Sequence, residues 1–180
     1  MKSILEKEGK KIHANLCEIS DYIYENPELG NEEFKSSEKL ISFLQDHNFE
    51  IEKEFLGIKT AFRATYDSKK EGATIGYLCE YDALPEIGHG CGHNMIGSMS
   101  AGAGIILSKV LDEVGGKIIV YGTPAEETNG AKVIFAEEGV FDELDAAMMV
   151  HPGDKTLASG KSMALYPLQF TYKGKTAHAA

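Results

Sequence analysis

Apolar side chains at Leu5, Ile12, Leu16, Ile19 and Ile23 recur mostly at steps of three or four. That spacing predicts an amphipathic helix over residues 3–25. Asn26-Pro27 and Gly30 stop it, since proline and glycine both interrupt helical backbone. A second helix follows, with Phe34, Ser37, Leu40, Ile41 and Leu44 on one face. Residues 49–55 and 60–66 read as strands. A polar turn over 67–72 leads into the apolar run 73–79.

Beyond that run the pattern alternates. Residues 95–114 predict a helix rich in small side chains, able to lie close to a sheet. Residues 117–121 predict a strand, 129–139 a helix, and 146–150 a strand. Strands separated by helices imply a mostly parallel, mixed sheet covered on both faces, which is a three-layer α/β domain. The pattern changes after about Ser159. Residues 163–172 read as a longer extended segment, and Gly-Lys-Thr-Ala-His-Ala-Ala at the end reads as a turn entering a helix. No internal repeat and no low-complexity linker is present in the sequence.

Composition narrows the class. The 180 residues are 43% apolar and 26% charged, with a net charge of −10. Nucleic acid is excluded as a partner, because phosphate binding needs clustered Lys and Arg. The charged start lacks the apolar core of a secretory signal, and no run approaches the length expected of a membrane span. Three cysteines, Cys17, Cys79 and Cys91, an odd count without a signal peptide, predict reduced thiols in a cytoplasm.

Three apolar strands run straight into chemically capable residues. Residues 73–79 lead to Glu80-Tyr81-Asp82, 117–121 to Glu126-Glu127, and 146–150 to His151-Pro152. In open α/β sheets ligands bind beyond the carboxyl ends of the strands. Carboxylates and an imidazole are therefore expected at one sheet edge. A fourth piece, Gly88-His89-Gly90-Cys91-Gly92-His93-Asn94, follows the first of these strands. Its glycines permit tight backbone, and thiolate, imidazole and carboxylate together are the ligand set of zinc and its neighbours. The plain alternative is a buried Cys91 thiol between surface histidines; the convergence with Glu127 and His151 outweighs it. Beside a metal, the Glu126-Glu127 pair divides labour: one carboxylate binds the ion and the other carries a proton from water to the leaving amine. Asp82 is either a ligand or an anchor that orients a histidine. His13 and His47 read as surface residues, and no role is assigned to His89.

Four segments in order, 80–97, 122–127, 148–152 and 174–180, resemble the motifs of the amidohydrolase branch of the aminoacylase/carboxypeptidase dinuclear metallopeptidases. The first segment is similar in wording to the aminobenzoyl-glutamate hydrolases and aminoacylase-1-like dipeptidases. The resemblance covers essentially the whole chain and is specific for the family rather than for a substrate. It implies a metallopeptidase-like catalytic domain over residues 1–160 and the start of an α+β lid and dimerisation domain over 161–180. It implies two divalent metal ions (zinc or manganese, with cobalt or nickel as alternatives) held by Cys91, His93, Glu127 and His151. Glu126 matches the general base, Asp82 the aspartate supporting the metal site, and His178 a lid histidine that binds the substrate carbonyl. The implied reaction is hydrolysis of a linear amide in a small N-acyl amino acid or dipeptide-like substrate by metal-activated water, in a homodimer formed through the lid.

Two features depart from the pattern. Glu80 stands where exopeptidase relatives have a histidine ligand. Family members are also much longer, so the chain is expected to be a truncated form that lacks a last ligand and most of the lid. Two rivals follow: a non-catalytic remnant that binds only metal or a partner, and a cysteine-nucleophile amidase using Cys91. The second leaves the paired glutamates idle.

Overall fold

A computed structural model describes residues 1–158, 164 and 168–178. Helices α1 (Lys2–Glu25) and α2 (Phe34–Gln45) precede strands β1 (Glu50–Lys53), β2 (Phe62–Asp67) and β3 (Thr74–Cys79). Helix α3 (His93–Val114), strand β4 (Lys117–Gly122), helix α4 (Ala131–Glu137) and strand β5 (Ala146–Met148) complete the order among the described residues. The predicted strand over 49–55 is shorter than expected: Phe55 leaves the sheet in a 3-10 turn, Phe55–Gly57, and buries its ring under α4. Helix α3 starts two residues before the predicted 95, so that His93 is its first residue. Of the extended segment expected over 163–172, residues 163 and 165–167 lie outside the described residues, and 168–172 carry no strand pairing. Residues 174–178 are not helical, and 179–180 lie outside the described residues.

The five strands form one mixed sheet in the order β1-β2-β4-β3-β5. Strands β1, β2 and β4 pair antiparallel, whereas β4, β3 and β5 pair parallel. The chain crosses from β3 to β4 through α3, then returns past β3 to β5 through α4. The two crossovers run in opposite directions, and their helices pack on opposite faces of the sheet, as the handedness rule for parallel connections requires. Neighbouring side chains of a strand point to opposite faces, and β4 shows the consequence. Ile118 and Val120 join the core under α1, α2 and α3, with Ile23, Leu44 and Ile105. Ile119 and Tyr121 join a second core with Phe135 and Ala131 of α4. Helices, sheet and helix are thus the three layers the sequence predicts.

Small residues set the distance of α3 from its neighbours. A Cβ added at Gly104 would stand 2.6 Å from Val120 Cγ2 of the sheet, and one at Gly102 would stand 2.7 Å from Leu16 Cδ1 of α1. By length and composition α3 is apolar enough to cross a membrane (mean hydropathy 1.2), which the sequence reading missed; 67% of that stretch is buried inside the protein. Its apolarity is that of a helix packed against the sheet on one side and against α1 on the other.

Candidate metal centre

The crossovers diverge between β3 and β4, which opens a crevice beyond the carboxyl ends of those strands. Thr123 closes the ladder there, donating from both its N–H (2.8 Å) and its hydroxyl (2.9 Å) to the Cys79 carbonyl. Past Cys79 the chain stays extended, so Glu80 and Asp82 face one way and Tyr81 the other. Tyr81 is anchored by stacking on Phe62 and by donating its hydroxyl to the Thr60 carbonyl at 2.6 Å. Glu80 and Asp82 are 2% and 1% exposed, so whatever pairs with them does so in a low dielectric.

His93 is the centre of the cluster and is 1% exposed. Its Nδ1 lies 2.9 Å from Asp82 Oδ1 and 3.0 Å from the Asp82 carbonyl oxygen. A carboxylate there makes Nδ1 the protonated nitrogen and leaves the Nε2 lone pair free. Nε2 faces Glu80 Oε2 at 3.3 Å, Glu126 Oε2 at 3.8 Å and Glu127 Oε1 at 3.8 Å. Among the described residues neither His93 Nε2 nor Glu80 Oε2 has a hydrogen-bond partner. Lone pairs facing each other in a buried space repel unless a proton or a cation stands between them. That arrangement fits a metal. A proton does the same job: burial works against a charged His93, but Asp82 and Glu80 outweigh it and raise its pKa.

Two overlapping groups of ligand atoms share His93. Glu80, His93 and His151 offer atoms within 4.8 Å of one another, and so do Cys91, His93 and Glu127. The ring of His151 meets that of His93 edge-on, with centroids 5.9 Å apart, and its Nδ1 lies 2.8 Å from the Pro152 carbonyl. Gly92 makes the approach possible. Its φ of +77° is in the left-handed region, and a Cβ would fall 2.8 Å from Pro152 Cγ.

Asp82 also ties the strands together, since its Oδ2 accepts the Glu127 N–H at 3.0 Å. Burial works against its ionisation, but His93 and the Glu127 amide hold its carboxyl below the usual range. Burial first, then the Glu80 charge, push the Glu126 carboxyl above its ordinary value. The neighbouring Glu127 carboxylate, with burial and the other carboxylates nearby, pushes the Cys91 thiol up to about 11. Glu80 Oε1 pairs with Lys132 Nζ at 2.5 Å.

Of the residues the sequence singles out, Asp82, Cys91, His93, Glu126, Glu127 and His151 meet in this crevice. His178 is exposed and belongs to neither ligand group. His89 is 7% exposed, with no partner for either ring nitrogen among the described residues. Sequence reasoning did not place Glu80 among the ligands. Its spacing from Asp82, two residues along an extended segment, was the available signal. Lys132 and Glu33, whose buried carboxylate accepts the Ala125 N–H at 2.7 Å, carried no local signal.

A three-layer α/β fold with acidic, imidazole and thiol groups gathered beyond the carboxyl ends of β3 and β4 has the donor set of a divalent-metal site. The chain belongs to peptidase family M20/M25/M40, whose profile matches residues 61–174. The chain is 35% identical over 175 residues to the Xaa-Arg dipeptidase of Mus musculus, covering 90% of this chain and 40% of that one. It is 35% identical over 183 residues to one of the subunits of the p-aminobenzoyl-glutamate hydrolase of Escherichia coli K12, covering 91% of this chain and 38% of that one. Among solved structures it is similar to the Bacillus subtilis YXEP protein, a dinuclear metal-binding peptidase of the M20 family, with a TM-score of 0.67 and 25% identity over 77% of this chain and 42% of that one. The chain therefore spans about 40% of the length of the relatives it matches.

Proposed function

We propose that this chain carries the catalytic site of a metal-dependent hydrolase that cleaves a linear amide bond in a small N-acyl amino acid or dipeptide-like substrate. The observation that carries the reading is the buried pair of unpartnered atoms, Glu80 Oε2 and His93 Nε2, in reach of Cys91, Glu127 and His151. Two divalent metals, zinc or manganese, would be held by Cys91, His93, Glu127 and His151, with Glu80 as a further candidate. Bound there, a divalent metal supplies Lewis acidity towards the amide carbonyl and lowers the pKa of water. Asp82 orients His93 through Nδ1. Glu126 carries the proton: its side chain is 39% exposed with Oε2 3.8 Å from His93 Nε2, and its raised pKa brings it nearer a working pH. A Cys91 nucleophile has less support, since a thiol held near 11 is almost wholly protonated at neutral pH.

The same reading assigns residues from about 161 onwards to a lid and dimerisation domain, with His178 binding substrate across a homodimer. Its support is the motif at 174–180. A cytoplasmic setting is supported by three cysteines that are all free. The test of the site uses the full-length protein loaded with zinc or manganese and a panel of N-acyl amino acids and dipeptides. Glu126→Gln should keep its metal and lose about 10²–10⁴-fold in turnover, and Glu127→Gln should lose metal. The reverse pattern would exchange the two roles, and unchanged turnover and metal content in both would overturn the assignment.

A further inference from the structure

Glu33 stands at the N-cap position of α2, yet its side chain does not cap that helix. The Glu28 carboxylate does so instead, accepting from the N–H groups of Lys35 (3.0 Å) and Ser36 (2.8 Å). The Glu33 carboxylate, 0% exposed, reaches 92 residues along the chain. Its Oε1 accepts the Ala125 N–H at 2.7 Å, and its Oε2 accepts the Thr60 hydroxyl at 2.8 Å. Burial pushes the Glu33 carboxyl above its ordinary value, and the bonds from Thr60 and Ala125 pull the other way; two such donors on one buried carboxyl fix its position in either protonation state.

The residue it holds is unusual. Ala125 has a φ of +62° without being glycine. Such a conformation costs on the order of 1–3 kcal/mol and persists only when its surroundings enforce it. The Ala125 carbonyl accepts from the N–H groups of Thr128 (3.1 Å) and Gly130 (2.8 Å), so the residue is held on both sides. The loop before α2 presses on it as well: a Cβ at Gly30 would lie 2.9 Å from Ala125 Cα. Asn31 and Asn129 bridge the same two loops at 3.0 Å. Glu126 and Glu127 follow immediately, so the φ of Ala125 sets the direction of both carboxylates. Thr60 extends the support to the other strand, because its carbonyl receives the hydroxyl of Tyr81, the residue between Glu80 and Asp82.

We propose that Glu33 is a positioning residue, whose buried carboxylate holds the left-handed Ala125 corner so that Glu126 and Glu127 point into the metal centre. The proposal rests on the roles given to Glu126 and Glu127 above. Glu33→Gln keeps one acceptor and loses the other. In the full-length enzyme it should lower kcat by about 10- to 100-fold, the scale of a displacement near 1 Å, with little change in KM. Metal affinity, read by chelator competition, should fall with it, because Glu127 shares the corner.

The discriminating measurement is a double-mutant cycle. On a Glu126→Gln background assayed at saturating metal, where the Glu127 contribution to affinity drops out, Glu33→Gln should cost almost nothing further in turnover, because residues acting together are non-additive. Thr60→Val, which removes only the brace on Oε2, gives a second and milder handle should Glu33→Gln fold poorly. It should lower kcat, and Thr60→Ser, which restores the hydroxyl, should recover it. Folded Glu33→Gln enzyme with normal kcat and metal affinity would overturn the proposal. So would an equal loss in both backgrounds, or Thr60→Val and Thr60→Ser behaving alike. If Glu126→Gln itself left turnover intact, the site reading would fail and this proposal with it. If Glu126→Gln removed turnover while Glu33→Gln did not, the positioning role alone would fail.

Discussion

Asp82 Oδ1 and His93 Nδ1 lie 2.9 Å apart, with both side chains at most 1% exposed. The second oxygen of the same carboxylate takes the Glu127 N–H at 3.0 Å. One side chain at the end of β3 thus orients the imidazole that opens α3 and the backbone that leaves β4.

Removing that carboxylate should loosen the centre without removing a proposed ligand. Asp82→Ala is expected to weaken divalent-metal binding by about 10–100-fold, the usual range for a group that orients a ligating histidine. Competition against a chromophoric chelator measures it. Unchanged affinity would show that His93 needs no orienting partner.

Lys132 Nζ is the partner of buried Glu80 Oε1. Lys132→Met should leave that carboxylate unpaired and destabilise the metal-stripped protein by about 1.5–3 kcal/mol, several degrees in melting temperature. Added zinc or manganese should stabilise the variant more than the parent, because Glu80 then regains an opposite charge. Equal metal-induced shifts in both proteins would remove Glu80 from the ligand set.

Gly92 combines a φ of +77° with a 2.8 Å approach to Pro152. Gly92→Ala should therefore cost about 1–3 kcal/mol from backbone strain alone. It should also weaken metal binding, since Pro152 must move and His151 moves with it. Calorimetry and a metal titration read the two effects. A variant matching the parent in both would show that the segments do not need to meet.

Cys91 yields a pH dependence. In metal-stripped protein its thiol is held at about 11, chiefly by the Glu127 carboxylate beside it. The thiolate is the reactive form, so iodoacetamide labelling of Cys91 in a Cys17→Ser background should still be accelerating at pH 10. Glu127→Gln removes the negative neighbour and lowers the pKa, so the thiolate fraction at pH 8 rises. Labelling at that pH should speed up in the same proportion, on the order of tenfold. Identical rates at pH 8 for parent and variant would refute the interaction.

Much of the fold and part of the centre could be read along the chain. The spacing of Ile12, Leu16, Ile19 and Ile23 places α1, and the observed helix starts one residue before the predicted one. Each of β3, β4 and β5 is an apolar run followed at once by polar residues. Sheet architecture then carries those residues to a shared edge, because parallel strands joined by crossovers point their carboxyl ends the same way. Local periodicity is enough for this, since each signal lies close in sequence to the feature it predicts.

Other features depend on contacts between distant segments, which no local pattern encodes. Phe55 reads as part of a strand, but the second core claims its ring and ends the strand early. Strand β2 pairs with β4 rather than with β3, the next strand along the chain, because the α3 crossover lays β4 between them. Glu80 looks like a departure from a ligand pattern, and folding turns it into a buried carboxylate facing His93. Glu33 looks like one more acid at a helix start; its partner Ala125 lies 92 residues away. The chemical types of the site residues are written in the chain. Their partners and burial, and so their protonation, follow from desolvation and packing once the layers close.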